Sequence, residues 1–131
     1  MSRYNVFISA CRGIAADAEN TVMLRDTLDR AGLPSVACEG VYGGVKEASF
    51  KVLCDDESEV LVCFFQGRFY NQDCILVVDT VGRCYQFINC QDAFRDQFNG
   101  EWTNGGMYPV LNADGDHTKI GGLPYQLMNR L

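Results

Sequence analysis

The chain of 131 residues has a single histidine, His117, and no Cys-x-x-Cys pair. A structural zinc site needs clustered thiolate and imidazole ligands, and the sequence offers no such cluster. No apolar run approaches the ~18 residues of a membrane-spanning helix. No Gly-x-Ser-x-Gly, Walker A or His-Glu-x-x-His motif appears, so the signatures of three large hydrolase classes are missing. Positive charge is scarce: 11 Lys and Arg stand against 17 Asp and Glu, a net charge of −6. Nucleic-acid binders normally show a basic face, and so do proteins drawn to anionic membranes. Both partners are disfavoured. A DNA mimic would need dense rows of paired carboxylates, whereas these acids are scattered. An acidic balance does favour a cationic small molecule.

What is present is a well-filled apolar set, 47% of residues, in a length that suits one domain. Seven cysteines, an odd number, sit mostly inside apolar runs such as Val36-Ala-Cys38 and Val62-Cys-Phe64. They read as reduced, small hydrophobes in a cytoplasmic protein. The stretch Asn5 to Ala10 is too short for a signal-peptide core and reads as the first strand of a soluble, non-secreted chain.

Periodicity orders the next segments. Tyr4 to Ala10 alternates as a strand with apolar groups on both faces. Ala18 to Ala31 places Val22, Leu24, Leu28 and Ala31 at helical spacing, with Asp17 as candidate N-cap and Gly32 just past the end. Ser35 to Cys38 is a short strand. Glu47 to Cys54 alternates again. Asp55-Asp-Glu-Ser58 supplies carboxylates for the first turn of a second helix that runs to Tyr70. Cys74 to Val78 is a continuous apolar strand, Thr80-Val-Gly82 a turn, and Arg83 to Ile88 its hairpin partner. The order β-α-β-β-α-β plus an extra strand predicts an α+β, ferredoxin-like sandwich over core residues 4–90. Its open sheet face, carrying Phe7, Leu53 and Tyr85, would need a cover, and oligomerisation through that face is expected. After Cys90, Gln91 to Phe98 is a candidate short helix, and Gly100 to Pro124 is rich in Gly, Asn and Asp and holds no period, so that residues 91–131 form the C-terminal extension. They read as an irregular, loop-rich C-terminal arm of a single domain, 1–131.

One segment carries chemistry: Gly40-Val-Tyr-Gly-Gly-Val-Lys-Glu-Ala-Ser-Phe50. Its glycines allow a tight turn and close approach to a ligand. Tyr42 supplies an aromatic face and a hydroxyl. Glu47 is an acid that could hold a cationic ligand or move a proton; alternatively it lies on the wet face of a strand. Ser9 and Arg12 fall at the end of the first strand, where small-molecule sites gather. Arg12 could pair a carboxylate bidentately, or pair with Asp17 or Glu19 instead. Asp114-Gly-Asp116-His117 reads as a turn, because the rest of a calcium loop is missing. Gln72-Asp73 reads as a plain turn.

In order, Ile8-Ser-Ala-Cys-Arg12, Asn20 with Leu24 and Leu28, Gly40-Val-Tyr42, Glu47-Ala-Ser49, and Gln72-Asp-Cys-Ile-Leu-Val77 resemble the phage-encoded S-adenosylmethionine lyases, also known as S-adenosylmethionine hydrolases. The resemblance covers roughly residues 4–78. It implies a ferredoxin-like subunit in a homotrimer with sites between subunits, in the host cytoplasm, serving anti-restriction. It implies cleavage of S-adenosylmethionine to methylthioadenosine and homoserine lactone, with no metal and no cofactor. It makes Glu47 the functional acid. Tyr42, Gly43, Gly44 and Ser49 would form the pocket wall, with Ser9 and Arg12 as further substrate-binding candidates. Adenine would stack on an aromatic such as Tyr42 or Phe50. Water attack, with Glu47 as general base, is the hydrolase variant. A non-enzymatic reading also stands: a nucleotide-binding trimer, or an inhibitor of a host enzyme.

Overall fold

Alternation along the first strand sets the architecture. In β1 (Tyr4–Ser9), Tyr4, Val6 and Ile8 face one side, and Asn5, Phe7 and Ser9 the other. Both sides carry apolar groups, so both have to be covered. The computed structural model, which describes residues 2–130, shows two different covers. Helices pack on one side, and the sheet closes on itself over the other.

The elements that follow are α1 (Asp17–Arg30), β2 (Ser35–Tyr42), β3 (Val45–Cys54), α2 (Glu57–Phe69), β4 (Cys74–Asp79) and β5 (Cys84–Asn89). After these come α3 (Phe94–Phe98), β6 (Thr103–Pro109), β7 (His117–Ile120) and β8 (Leu123–Asn129). The strands form a closed antiparallel barrel in the order β1-β3-β2-β7-β8-β6-β5-β4.

This overturns the ferredoxin-like sandwich. Residues 103–129 contribute three strands in place of an irregular arm, and these wrap the sheet face that seemed to want a partner. Phe7 and Tyr85 are buried inside the barrel with Leu76 and Val78, and Met107, Ile120 and Leu127 from the last three strands pack against them. The face that argued for oligomerisation is thus covered by the chain itself.

The helix side holds the larger core. Leu24 and Leu28 of α1 and Val60, Cys63 and Phe64 of α2 bury themselves against Val6, Val52 and Val77. Val22, expected on the apolar face of α1, is 47% exposed. Phe94 and Phe98 of α3 extend this core as stacked rings 5.3 Å apart, with Trp102 edge-on to Phe98 at 5.3 Å.

Local chemistry fixes the helix ends. Asp56 caps α2, accepting from the Glu59 backbone N–H at 3.1 Å, while the Glu59 carboxylate accepts from the Asp55 N–H. That reciprocal pair satisfies two otherwise orphan donors. Asp17 is not the cap of α1; it is the first helical residue, after Ala16. Its carboxylate instead accepts the backbone N–H groups of Arg12 and Gly13, each at 2.9 Å, and so clamps the loop that leaves β1. The Arg12 N–H bond above all, with those of Gly13 and Ile14, holds the Asp17 carboxyl below its ordinary range against the opposing effect of burial. At the other end Gly32 takes φ +74°, and Leu33 N–H reaches back to the Leu28 carbonyl, closing the helix.

Candidate active site at the barrel mouth

Cross-strand partners share a face of the sheet. The pairs Ser9–Ser49, Ser49–Cys38 and Glu47–Gly40 therefore align on the interior side, beyond the Phe7–Leu76 pair. There the C-terminal end of β1 meets the N-terminal ends of β3 and β4. The interior opens into a cleft of about 510 Å³ whose lining includes Ser9, Arg12, Tyr42, Glu47, Ser49 and Phe87. Five of the seven residues singled out from the sequence thus surround one space.

Each is placed differently. Glu47 is half-buried, and among the described residues its carboxylate enters no hydrogen bond and no ion pair. A half-buried charge without a partner is an arrangement that a cationic ligand would stabilise. Arg12 is held loosely, with Nη1 3.8 Å from a carboxylate oxygen of the fully exposed Asp73. Of the alternatives weighed for Arg12, Asp17 holds its backbone rather than its guanidinium. The Ser9 hydroxyl is already committed: it donates to the Ala48 carbonyl and accepts from the Cys11 N–H, both at 2.9 Å. Ser9 therefore shapes the strand end. Ser49 is buried with its hydroxyl 3.3 Å from Cys38 Sγ.

Tyr42 lies back over Gly40. A Cβ at residue 40 would fall 2.6 Å from a ring carbon of Tyr42, so only glycine leaves room for this pose. Tyr42 as a residue is 41% exposed, but its hydroxyl lies 3.5 Å from Thr118 Oγ1 of β7. Burial raises the Tyr42 phenol above its ordinary value, against the opposing hydrogen bond of Thr118, so it stays a neutral donor at pH 7. Desolvation likewise raises the Cys74 thiol at the cleft wall, with Asp73 adding to the effect.

Gly43 and Gly44 do not line the cleft. With φ of 57° and 79° they form the two-residue turn between β2 and β3, a conformation in which both positions need positive φ. The Gly43 N–H donates to Asp116 at 2.9 Å, tying this turn to the loop before β7. Phe50 is 5% exposed in the helix-side core, which removes it as a stacking surface for adenine.

Gln72 and Phe87 are among the lining residues that the sequence did not mark as site residues. Gln72 is buried, and its amide donates to the Cys11 carbonyl at 3.0 Å, tying the β1 exit loop to the start of β4. Its place in the Gln-Asp-Cys-Ile-Leu-Val run was a usable signal. Phe87 is 51% exposed on β5 and faces the cleft; alternation in Arg83 to Ile88 could have assigned it to the sheet face opposite the helices. Among the described residues no three His, Cys, Asp or Glu side chains converge as metal ligands would.

The geometry defines a class of protein: a small barrel whose mouth offers one free carboxylate, one loosely held guanidinium and two aromatic rings to a charged small molecule. The profile of the S-adenosylmethionine lyase family matches residues 6–122, and the chain belongs to that family. Comparison with curated proteins gives no match. Membership supports a lyase- or hydrolase-type activity on S-adenosylmethionine, and that compound as a ligand.

Proposed function

We propose that this protein cleaves S-adenosylmethionine to methylthioadenosine and homoserine lactone at the Glu47 cleft. The observation that carries this reading is the unpartnered, half-buried Glu47 facing Tyr42 and Phe87 in a chain of this family. In this reading Glu47 holds the substrate ammonium. That contact folds the methionine arm so that its own carboxylate oxygen lies behind the γ-carbon. The oxygen forms the new C–O bond as the C–S bond breaks, and the bonding pair leaves on sulfur as a neutral thioether. A positive and a negative charge are annihilated, so the transition state is less polar than the bound ground state. The apolar cleft wall, Phe7, Ile8, Leu76 and Phe87, favours that change. Tyr42 and Phe87 present ring faces suited to a sulfonium. Arg12, being loosely paired, attracts the carboxylate without fixing it and leaves it free to attack.

The trimer with sites between subunits belongs to this reading: the cleft is open, and a neighbouring subunit would roof it. A monomer by light scattering would remove that part. Depletion of S-adenosylmethionine in a host would serve anti-restriction. The test is direct. Purified protein is incubated with S-adenosylmethionine, and fresh products are read by mass spectrometry. Methylthioadenosine with lactone supports the proposal. Homoserine from the first time point, corrected for lactone hydrolysis, would make Glu47 a general base toward water instead. Binding without product would leave a nucleotide binder, and neither binding nor product would point to inhibition of a host protein.

A further inference from the structure

A second cavity, of about 480 Å³, adjoins the Glu47 cleft and shares Tyr42, Leu76 and Phe87 with it. Its other walls come from the last three strands and the loop before β7. Met107, Tyr125 and Leu127 supply apolar and aromatic surface, and Thr118, Gln126, His117, Asp114 and Asp116 supply polar groups. The two spaces differ in chemistry. The first holds a free anion and a cation, Glu47 and Arg12, the complement of a zwitterion. Among the described residues the second lacks a cation and offers aromatic rings, a thioether, hydroxyl and amide groups and the carboxylates of Asp114 and Asp116, a set suited to a nucleoside, whose amino and hydroxyl groups donate. His117 Nδ1 lies 2.9 Å from the Gly115 carbonyl, which can only accept, so Nδ1 donates there and the neutral ring turns Nε2 to a ligand N–H or O–H as an acceptor. Asp114 and Asp116 are exposed carboxylates of the same lining that can accept from ribose hydroxyls, Asp116 already accepting from the Gly43 N–H through one oxygen.

Resting on the lyase reading above, we propose that this second cavity is the nucleoside subsite. The substrate then spans both spaces, with its sulfonium at the shared wall of Tyr42 and Phe87. Tyr125, Met107 and His117 become specificity-determining residues that bind the leaving group and take no part in bond breaking. Tyr42, held by Gly40 and Thr118, is the partition between the two halves.

Two truncated probes separate the halves. Methylthioadenosine carries only the nucleoside half; S-methylmethionine carries the sulfonium amino acid without the nucleoside. Calorimetric titration of methylthioadenosine is expected to show binding that Tyr125→Ala weakens about tenfold or more, the range for losing one base-stacking ring. Glu47→Gln is expected to leave that affinity within about twofold. S-methylmethionine binding should show the reverse pattern. Tyr125→Phe keeps the packing and should retain most of the methylthioadenosine affinity, which covers the case in which the alanine variant does not fold. Methylthioadenosine binding that is absent, or that is indifferent to Tyr125→Ala and Met107→Ala, overturns the subsite. The test reads binding, so it separates from the lyase reading. A protein without turnover that still binds methylthioadenosine through Tyr125 keeps the subsite. A protein with turnover whose KM ignores Tyr125→Ala loses it.

Discussion

Residues 4–89 and residues 103–129 build one barrel by different means. The first segment has long ladders and helices packed on its outer face. β2 and β3 pair over eight residues, and Val6, Val52 and Val77 are fully buried beneath α1 and α2. The second segment joins by short seams, two paired residues between β5 and β6 and three between β2 and β7. Among the described residues the helices pack mainly on β1 to β5 rather than on the three strands of this segment. Its interior residues Met107, Ile120 and Leu127 are only partly buried. Stability is thus concentrated where the helices are, and the ligand spaces lie where the two segments meet. A site that must open to a substrate is drawn from the less tightly held part of a structure.

The largest effect should come from breaking the helix side. Phe64→Ala removes a side chain 1% exposed at the centre of that core and should cost about 3–5 kcal/mol in chemical denaturation. Leu127→Ala, half-buried on β8, should cost about 1–2 kcal/mol. Equal losses would erase the contrast between the segments.

Acid unfolding sharpens it next. Asp79, 5% exposed at the end of β4, accepts from Arg3 at 3.0 Å and from the N–H groups of Val81 and Gly82. Burial alone would push its carboxyl up; the Arg3 and backbone donors together outweigh that and leave it lowered. Its folded pKa lies below its unfolded one, so this contribution is present above the unfolded value and is lost as pH falls through the folded value. Asp79→Asn should therefore flatten the acid limb of the stability profile below about pH 4. An unchanged slope would show that Asp79 does not carry it.

At the partition, Gly40→Ala should swing the Tyr42 ring outward, since the ring is free to move toward solvent. Stability should change by less than about 1 kcal/mol, while kcat/KM falls about tenfold. In a Tyr42→Ala background the same substitution should have no further effect, because it acts through that ring. Additive losses would place the role of Gly40 elsewhere.

The segment up to residue 90 was legible because its strands alternate sharply and its helices carry capping acids and a terminal Gly32. The fold class was not. The strands in residues 103–129 give a weak apolar signal: β6 contains Gly105 and Gly106, β8 contains Pro124, and the four-residue β7 turns Thr118 inward beside Ile120. Glycine leaves no side chain to read, and an interior that doubles as a ligand space does not require alternating hydrophobes. The apolar second face of β1 does need a cover, but the sequence does not distinguish a cover from within the chain from one in another subunit. In the site, the run from Tyr42 to Ser49 was readable because its turn chemistry is explicit. Phe87 and the walls of the second cavity come from distant segments that only barrel closure brings to Tyr42.

The most direct test compares the intact protein with Glu47→Gln on S-adenosylmethionine, with circular dichroism and thermal melting as controls for the fold. The account predicts rapid release of methylthioadenosine by the intact protein and its loss in a variant that melts at the same temperature. Near-normal turnover in Glu47→Gln would contradict it, as would an intact protein that leaves the substrate unchanged for hours at high concentration.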